Sequence, residues 1–338
     1  MSHQGGHIDE SLTRAVCVVT GGLGFIGSNL VHRLTRFGAT VRVIDALVPA
    51  HGGNPHNLDG VAGTVDVLES DIGDDRVAKW VGDATHVFNL AGQVSHLDSM
   101  LDPEGDLRFN ALTHCQFLET LRRENPGARV VHASTRQVYG RALRTPVDEQ
   151  HRTRPLDVNG VAKLAGEQLH LVYAHAHGMP ITSLRLGNVY GPRQRLDSNV
   201  LGFLPVFIRT ALRGGTIELF GDGSQRRDCL HVDDVVDAFV LATNAAGIGA
   251  VYNIGHQRSH SLADIAATLS QLGAPGTQVR LTPWPDDHAR IDIGSFESDS
   301  SAARRELGWW TNIDLADGLR STLDFYREHP LYLARAAS

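Results

Sequence analysis

The chain has 338 residues, 42% of them hydrophobic, and a formal net charge of −7. That length supports one large domain or two modest ones with a sizeable core, and the acidic balance argues against nucleic acid as a partner. Apolar runs fall short of the ~18 residues of a membrane span. Cys17, Cys115 and Cys229 are far apart and odd in number, which argues against a disulfide framework and for a reducing, cytoplasmic setting.

Residues 1–11 are polar, lack the apolar core of a signal peptide, and are expected to form a flexible arm. Short runs rich in Val and Ile then predict strands over 15–20, 40–45, 64–71, 86–92, 129–135 and 181–188. Amphipathic segments between them predict helices over 25–37, 74–81, 105–124 and 159–177. The alternation predicts an α/β fold, a Rossmann-type doubly wound parallel sheet with right-handed crossovers. After residue 188 the rhythm changes to a turn (YGPRQ), a helix over 200–213, glycine-jointed short elements and a helix near 314–328. A smaller C-terminal α/β substrate domain is expected there. The expected bounds are 12–187 plus 228–247 for the nucleotide-binding domain, and 188–227 plus 248–330 for the second.

The first strand runs into Gly21-x-x-Gly24-x-x-Gly27, which opens the first helix through Phe25 and Ile26. Glycines permit a tight turn, and the helix N-terminus faces the incoming pyrophosphate. Asp45 ends the second strand, where a carboxylate accepts the ribose hydroxyls of NAD and disfavours the 2′-phosphate of NADP. Asp71, with Ile72 beside it, follows the third strand within reach of the adenine. Leu90, Ala91 and Gln93 follow the fourth and are expected along the middle of the cofactor.

These glycines, followed by NLAG, STRQVYG and a helix bearing Lys163, resemble the extended short-chain dehydrogenase/reductase family. More narrowly they are similar to the NAD-dependent epimerase/dehydratase group that acts on nucleotide sugars. LRLGNVYGPRQ, ELFGDGSQRRDCLHVDDVVDAF and VYNIG match the substrate-domain signatures of that group. The resemblance implies that Thr135 binds the reacting sugar hydroxyl and that Lys163 holds the nicotinamide ribose. It implies that Ser95, Asn188, Phe220, Arg227 and Arg290 meet the nucleotide diphosphate sugar. It also implies a homodimer built on helices 105–124 and 159–177. Leu107, Ala111, His114, Phe117, Leu118 and Leu121 would mark one helix of that contact, and Leu164, Ala165, Gln168 and Val172 the other.

One departure bears on mechanism. Where the family carries Ser-Pro-Tyr before Gly-x-x-Lys, this chain has Asp157-Val158-Asn159, and an amide cannot act as a base. Lys163 is one of only two lysines, with Lys79, among 31 basic residues. A desolvated lysine there is expected to carry or relay the proton, with Asn159 and Thr135 orienting the hydroxyl. Arg136 and Gln137 replace the Asp-Glu pair of dehydratases. Arg136 is expected either to bind a substrate anion or to pair with Asp157. Tyr139 is the other phenol nearby, although the resemblance gives it a structural role. The expected function is therefore an NAD-dependent nucleotide-sugar epimerase with a modified proton relay. The alternatives are another oxidation-initiated nucleotide-sugar enzyme, or a lapsed NAD- and sugar-nucleotide-binding protein. His170, His175 and His177 are read as solvated helix surface, and no metal is expected.

Overall fold

A computed structural model describes residues 12–48, 53–197, 202–244, 248–285 and 292–334. Its centre is a seven-stranded, all-parallel sheet: β1 (Val16–Thr20), β2 (Thr40–Asp45), β3 (Val65–Glu69), β4 (His86–Asn89), β5 (Arg129–Thr135) and β6 (Ile181–Leu186), joined by a seventh, residues 250–254, on the far side of β6. The order, seventh-β6-β5-β4-β1-β2-β3, reverses direction between β1 and β4. The crevice beyond their C-terminal ends is where doubly wound sheets bind ligands. At that point Thr20 Oγ1 donates to Asn89 Oδ1 across 2.7 Å, tying the two strand ends together.

The strands form where the apolar runs predicted them, because both faces are covered. On one face α1 (Phe25–Arg36) brings Leu30 and Leu34 into a core shared with Val19, Val235, Phe239 and Trp309. The opposite face carries Val77, Phe117, Leu118, Leu121 and Tyr173. Edge strand β3 is only partly covered. The predicted helix 74–81 is a 3₁₀ turn, Asp75–Val77, followed by α2 (Ala78–Val81). After α3 (His96–Leu101), the predicted helix 105–124 is α4 (Pro103–Leu107), a π-helical segment (Arg108–Leu112) and α5 (Thr113–Glu124). That widened turn lies against the long helix α6 (Val158–His177). The side chain of Asp157 caps α6 by accepting from Gly160 N at 2.7 Å. Arg185 on β6 grips Glu167 of α6 with both arms, at 2.6 and 2.9 Å, and Ser134 adds a bond of 2.6 Å to the same carboxylate. Breaking such a buried pair from one side costs about 3–5 kcal/mol.

After β6 the chain leaves the sheet. β7 (Asn188–Tyr190) leads to α7 (Phe203–Leu212), β8 (Thr216–Phe220), the short β9 (Arg226–Arg227) and β10 (Cys229–His231), which pairs with β7. Helix α8 (Val232–Ala242) packs on α1, and the seventh sheet strand is β11 (Ala250–Ile254). β12 (His260–Ser261), α9 (Leu262–Leu272), β13 (Gln278–Thr282), α10 (Ser301–Leu307) and α11 (Leu315–Glu328) follow. Ile208, Ile217, Leu219, Ile265, Leu269, Leu319 and Leu323 form a second core. Two expectations are corrected here. Residues 250–254, assigned to the smaller domain, complete the large sheet, and α10 with Trp309 also packs on that sheet's core. Of the expected dimer residues, His114, Phe117, Leu118 and Leu121 are buried within the chain itself, because α5 turns that face onto its own sheet. No helix among the described residues is long and apolar enough to cross a membrane.

Candidate active site

The glycine turn is shaped by close approach. Gly21 has φ 66°, and a Cβ there would lie 2.8 Å from the carbonyl oxygen of Leu90. A Cβ on Gly27 would lie 2.2 Å from the carbonyl oxygen of Gly21. Side chains at either position would push the turn away from the end of β4 or from α1. Gly21, Gly24, Asp45, Asp71, Ile72, Leu90, Ala91 and Gln93 line one cleft, together with Gly53, Phe109 and Thr113. Phe25 and Ile26 do not line it; their side chains pack on the large core, and only their place in the first turn of α1 serves the site. The Asp45 carboxylate accepts from Leu23 N at 3.0 Å and Leu47 N at 2.9 Å, which fixes it at the cleft. Burial pushes its carboxyl up from the usual range, and these bonds oppose the shift. The tight glycine turn at the start of α1 and the fixed carboxylate fit an adenine dinucleotide.

Beyond Gln93 the cleft meets the N-terminal half of α6. Asn159 is 2% exposed, and its amide nitrogen lies within bonding distance of three acceptors. These are Gln93 O at 3.1 Å, Gln93 Oε1 at 2.9 Å and Asp106 Oδ1 at 3.0 Å. Asp106 Oδ1 also receives Asn110 at 3.0 Å, while Oδ2 is buried without a partner. Asn159 is thus spent on holding the 93 loop against α4 rather than turned toward a sugar. Lys163, one turn further along, is buried, and its Nζ lies against Gly92, where an added Cβ would come within 2.5 Å of it. Burial pushes the ammonium down to about 8, and the Asp106 carboxylate works against that shift. The buried amine is thus held less basic than a free lysine.

Thr135 ends β5, and its Oγ1 accepts from Gln137 N at 3.2 Å. Arg136 is buried, with its guanidinium carbon 5.2 Å from the centre of the Phe296 ring and its Nη1 without a partner. Burial, reinforced by nearby Arg227, lowers its pKa to about 10. No ion pair joins Arg136 to Asp157; Asp157 bonds to His96 instead, with Nδ1 to Oδ2 at 2.8 Å. Arg227 is buried too, bonding Gly294 O at 2.5 Å and Asp292 at 3.5 Å. Asn188 opens β7 with its Oδ1 buried and unpartnered. Phe220 meets Trp284, with ring centres 5.5 Å apart. Ser95 is 1% exposed and its hydroxyl caps α3 by accepting from Asp98 N, so it is occupied within the chain. Tyr139 is locked: it donates to Asn253 at 2.7 Å, receives Arg185 at 2.7 Å, and burial raises its pKa to about 12. Arg290 lies outside the described residues.

His170 corrects a further expectation. His175 and His177 are exposed, but His170 is 0% exposed and sits beneath the sheet with His114 and His132. The rings of His132 and His170 stack at 3.8 Å, and the Asn89 amide approaches His114 Nδ1 at 3.2 Å and His170 Nε2 at 3.1 Å. Burial lowers all three pKa values, that of His170 to about 4. Sequence reading also missed His96 and Trp284. His96 follows the NLAGQVS stretch directly, and the aromatic within TPWP was the available signal for Trp284.

Residues 17–255 match the model of the NAD dependent epimerase/dehydratase family. The chain belongs to the NAD-dependent epimerase/dehydratase family. This family's cofactor is NAD, and the cleft at the glycine turn is where its residues would hold it. The chain is 32% identical to a UDP-glucose 4-epimerase of Mycolicibacterium smegmatis, over 92% of this chain and 98% of that one. It is 33% identical to a dTDP-glucose 4,6-dehydratase of Streptomyces griseus, over 92% of this chain and 94% of that one. It also resembles the structure of MoeE5 in complex with UDP-glucuronic acid and NAD. That likeness has a TM-score of 0.80 and 31% identity, and covers 93% of this chain and 100% of MoeE5. Relatives of this family thus include epimerases and dehydratases, and this chain is an enzyme of the same kind.

Proposed function

We propose that the protein is a nucleotide-sugar epimerase that oxidises one sugar carbon transiently and restores it from the other face. The observation that carries this reading is Lys163, buried against Gly92 at the cofactor loop with its pKa brought down to about 8. Bound NAD supplies reversible hydride acceptance. Thr135, at the C-terminal end of β5, holds the reacting hydroxyl, and Lys163 relays charge and protons on the cofactor side. Arg227 and Asn188 hold the diphosphate: one offers a planar fork, the other a buried polar atom without a partner. The Phe220–Trp284 pair forms an aromatic surface for the base. Elimination is disfavoured because a guanidinium and an amide, Arg136 and Gln137, occupy the positions of the dehydratase acid and base.

Arg136 also bears on the sugar. A buried guanidinium nitrogen without an acceptor is costly, and a carboxylate on the sugar would satisfy it, so a nucleotide-linked uronic acid is the favoured substrate. The UDP-glucuronic acid held by MoeE5 is consistent with this choice. The test is to incubate the enzyme with UDP-, GDP-, CDP- and ADP-sugars, neutral and acidic, and follow the products by NMR. Epimers with no loss of water support the reading; a 4-keto-6-deoxy product, or no product from any of them, overturns it. Within the same enzyme Lys163→Ala is expected to lower turnover by about 10²–10⁴-fold, and Lys163→Arg to do the same, because guanidinium keeps its proton. Exposed Leu112 (54%), Val161 (50%) and Val172 (55%), on and beside the expected helices, support a two-fold dimer, which sedimentation at micromolar concentration tests.

A further inference from the structure

We infer that His96, oriented by Asp157, is the general base that stands in for the missing phenol. The inference rests on the epimerase reading and deepens it. His96 opens α3 and spans a short gap: its Nδ1 lies 2.8 Å from Asp157 Oδ2, and its Nε2 lies 2.8 Å from the side-chain nitrogen of Gln137. A carboxylate only accepts and an amide nitrogen only donates. The ring is therefore held with its proton on Nδ1 and its lone pair on Nε2. Asp157 is buried, and its other oxygen is held by Gly160 N at 2.7 Å. Burial works against its charge, yet the bonds to His96 and Gly160 keep its carboxyl below the usual range. Nucleophile–base sites elsewhere use this same logic of a base oriented by a third group.

Position is the second argument. Asp157 stands two residues before Asn159, so the dyad occupies the helix end from which the family's tyrosine would project. Asn159 N bonds Ser99 Oγ at 3.1 Å, which fastens α3, and so His96, to that end. Gln137 links the dyad to the hydroxyl site: its backbone N–H bonds Thr135 Oγ1, and its side chain covers the His96 lone pair. The side chain of His96 is 26% exposed, against 5% for Asp157, so the ring stands at the surface end of the dyad. The other charge near Asp157 is Arg136, which also favours the carboxylate form. A substrate hydroxyl that displaces the Gln137 amide takes its place on Nε2. As the C–H bond breaks and C=O forms, the O–H proton would pass to Nε2, while bound NAD would supply acceptance of the hydride. The imidazolium is balanced by Asp157. On reduction of the carbonyl, His96 Nε2 would give the same proton back to the oxygen.

The experiment uses the full-length enzyme loaded with NAD and the nucleotide sugar that turns over in the panel above. His96→Ala is expected to lower single-turnover NAD reduction by about 10²–10⁴-fold with KM little changed, and imidazole in solution to restore about tenfold or more. Asp157→Asn keeps a good helix cap and is expected to lose at least about tenfold in kcat, since it no longer favours the base-competent ring. Independently of activity, nitrogen-15 NMR of His96 should show a protonated Nδ1 and a bare Nε2, with the sugar nucleotide moving the Nε2 signal. If His96→Ala turns over near the wild-type rate, or its loss resists imidazole and is accompanied by a lower Tm, His96 is structural and this inference falls while the epimerase reading stands. If no nucleotide sugar reduces NAD even in the wild type, both fall together.

Discussion

Replacing Asn159 by alanine separates a structural hub from an idle remnant of a catalytic position. The change removes the donor to Gln93 O, Gln93 Oε1 and Asp106 Oδ1, all within 3.1 Å. Asn110 still serves Asp106 Oδ1 and Ser95 N still serves Gln93 Oε1, so Gln93 O is the acceptor that loses its donor. At about 1–3 kcal/mol for an acceptor left unsatisfied, the loss is about 1–3 kcal/mol. That is a sizeable share of the ~5–15 kcal/mol that holds a protein folded. For a chain of this length roughly 2 °C of Tm follows each kcal/mol, so Tm should fall by about 2–6 °C. Calorimetry without NAD reads this directly, since bound cofactor would add its own stabilisation. Asn159→Tyr should be worse in both stability and turnover, because a phenol cannot reproduce the forked amide and must displace the 93 loop. A Tm within about 1 °C of wild type for Asn159→Ala, or faster single turnover for Asn159→Tyr, would refute the hub and make Asn159 a remnant.

Two further outcomes follow from the site and the core. NAD should bind at least about tenfold more tightly than NADP, or ~1.4 kcal/mol, because the Asp45 carboxylate repels a 2′-phosphate; equal affinities by titration calorimetry would remove Asp45 from cofactor choice. Stability should fall as pH drops from ~6.5 toward about 4, because burial lowers the pKa values of His114, His132 and His170. Above this window all three are neutral in both states. Within it the unfolded chain takes up protons that the folded one refuses, so stability rises with pH. The shift of His170 alone, from 6.5 to about 4, amounts to about 3 kcal/mol. Urea titrations of wild type and His170→Gln between these limits measure it, and a wild-type curve flat with pH would contradict the assignment.

The sheet was legible because its inner strands are covered on both faces and so read as nearly unbroken apolar runs, even though edge strand β3 is only partly covered. β11 lies in VYNIG, which was legible as a family signature but not as a member of the large sheet, because its partner β6 lies more than sixty residues earlier. Local periodicity cannot express that pairing. The same limit hid His96: its partner Asp157 is sixty-one residues away, and neither residue type is unusual where it stands. Lys163 was legible because lysine is scarce in this chain, and its burial then supplied the lowered pKa. His170 was misread because it neighbours two exposed histidines on one helix, and only the face it occupies separates them.

The route of the chain between its two cores constrains engineering as well as folding. It leaves the large sheet after β6, returns for α8 and β11, departs again, and sends α10 and Trp309 back into the first core. Cutting after residue 187 would strip the sheet of an edge strand and two covering helices, so the dinucleotide-binding part is not a transplantable module. A change of sugar preference by exchange with a relative would have to graft separate insertions in register, leaving the returning segments native. The lobes are stitched by several threads, so any motion of one against the other would have to bend several crossings together.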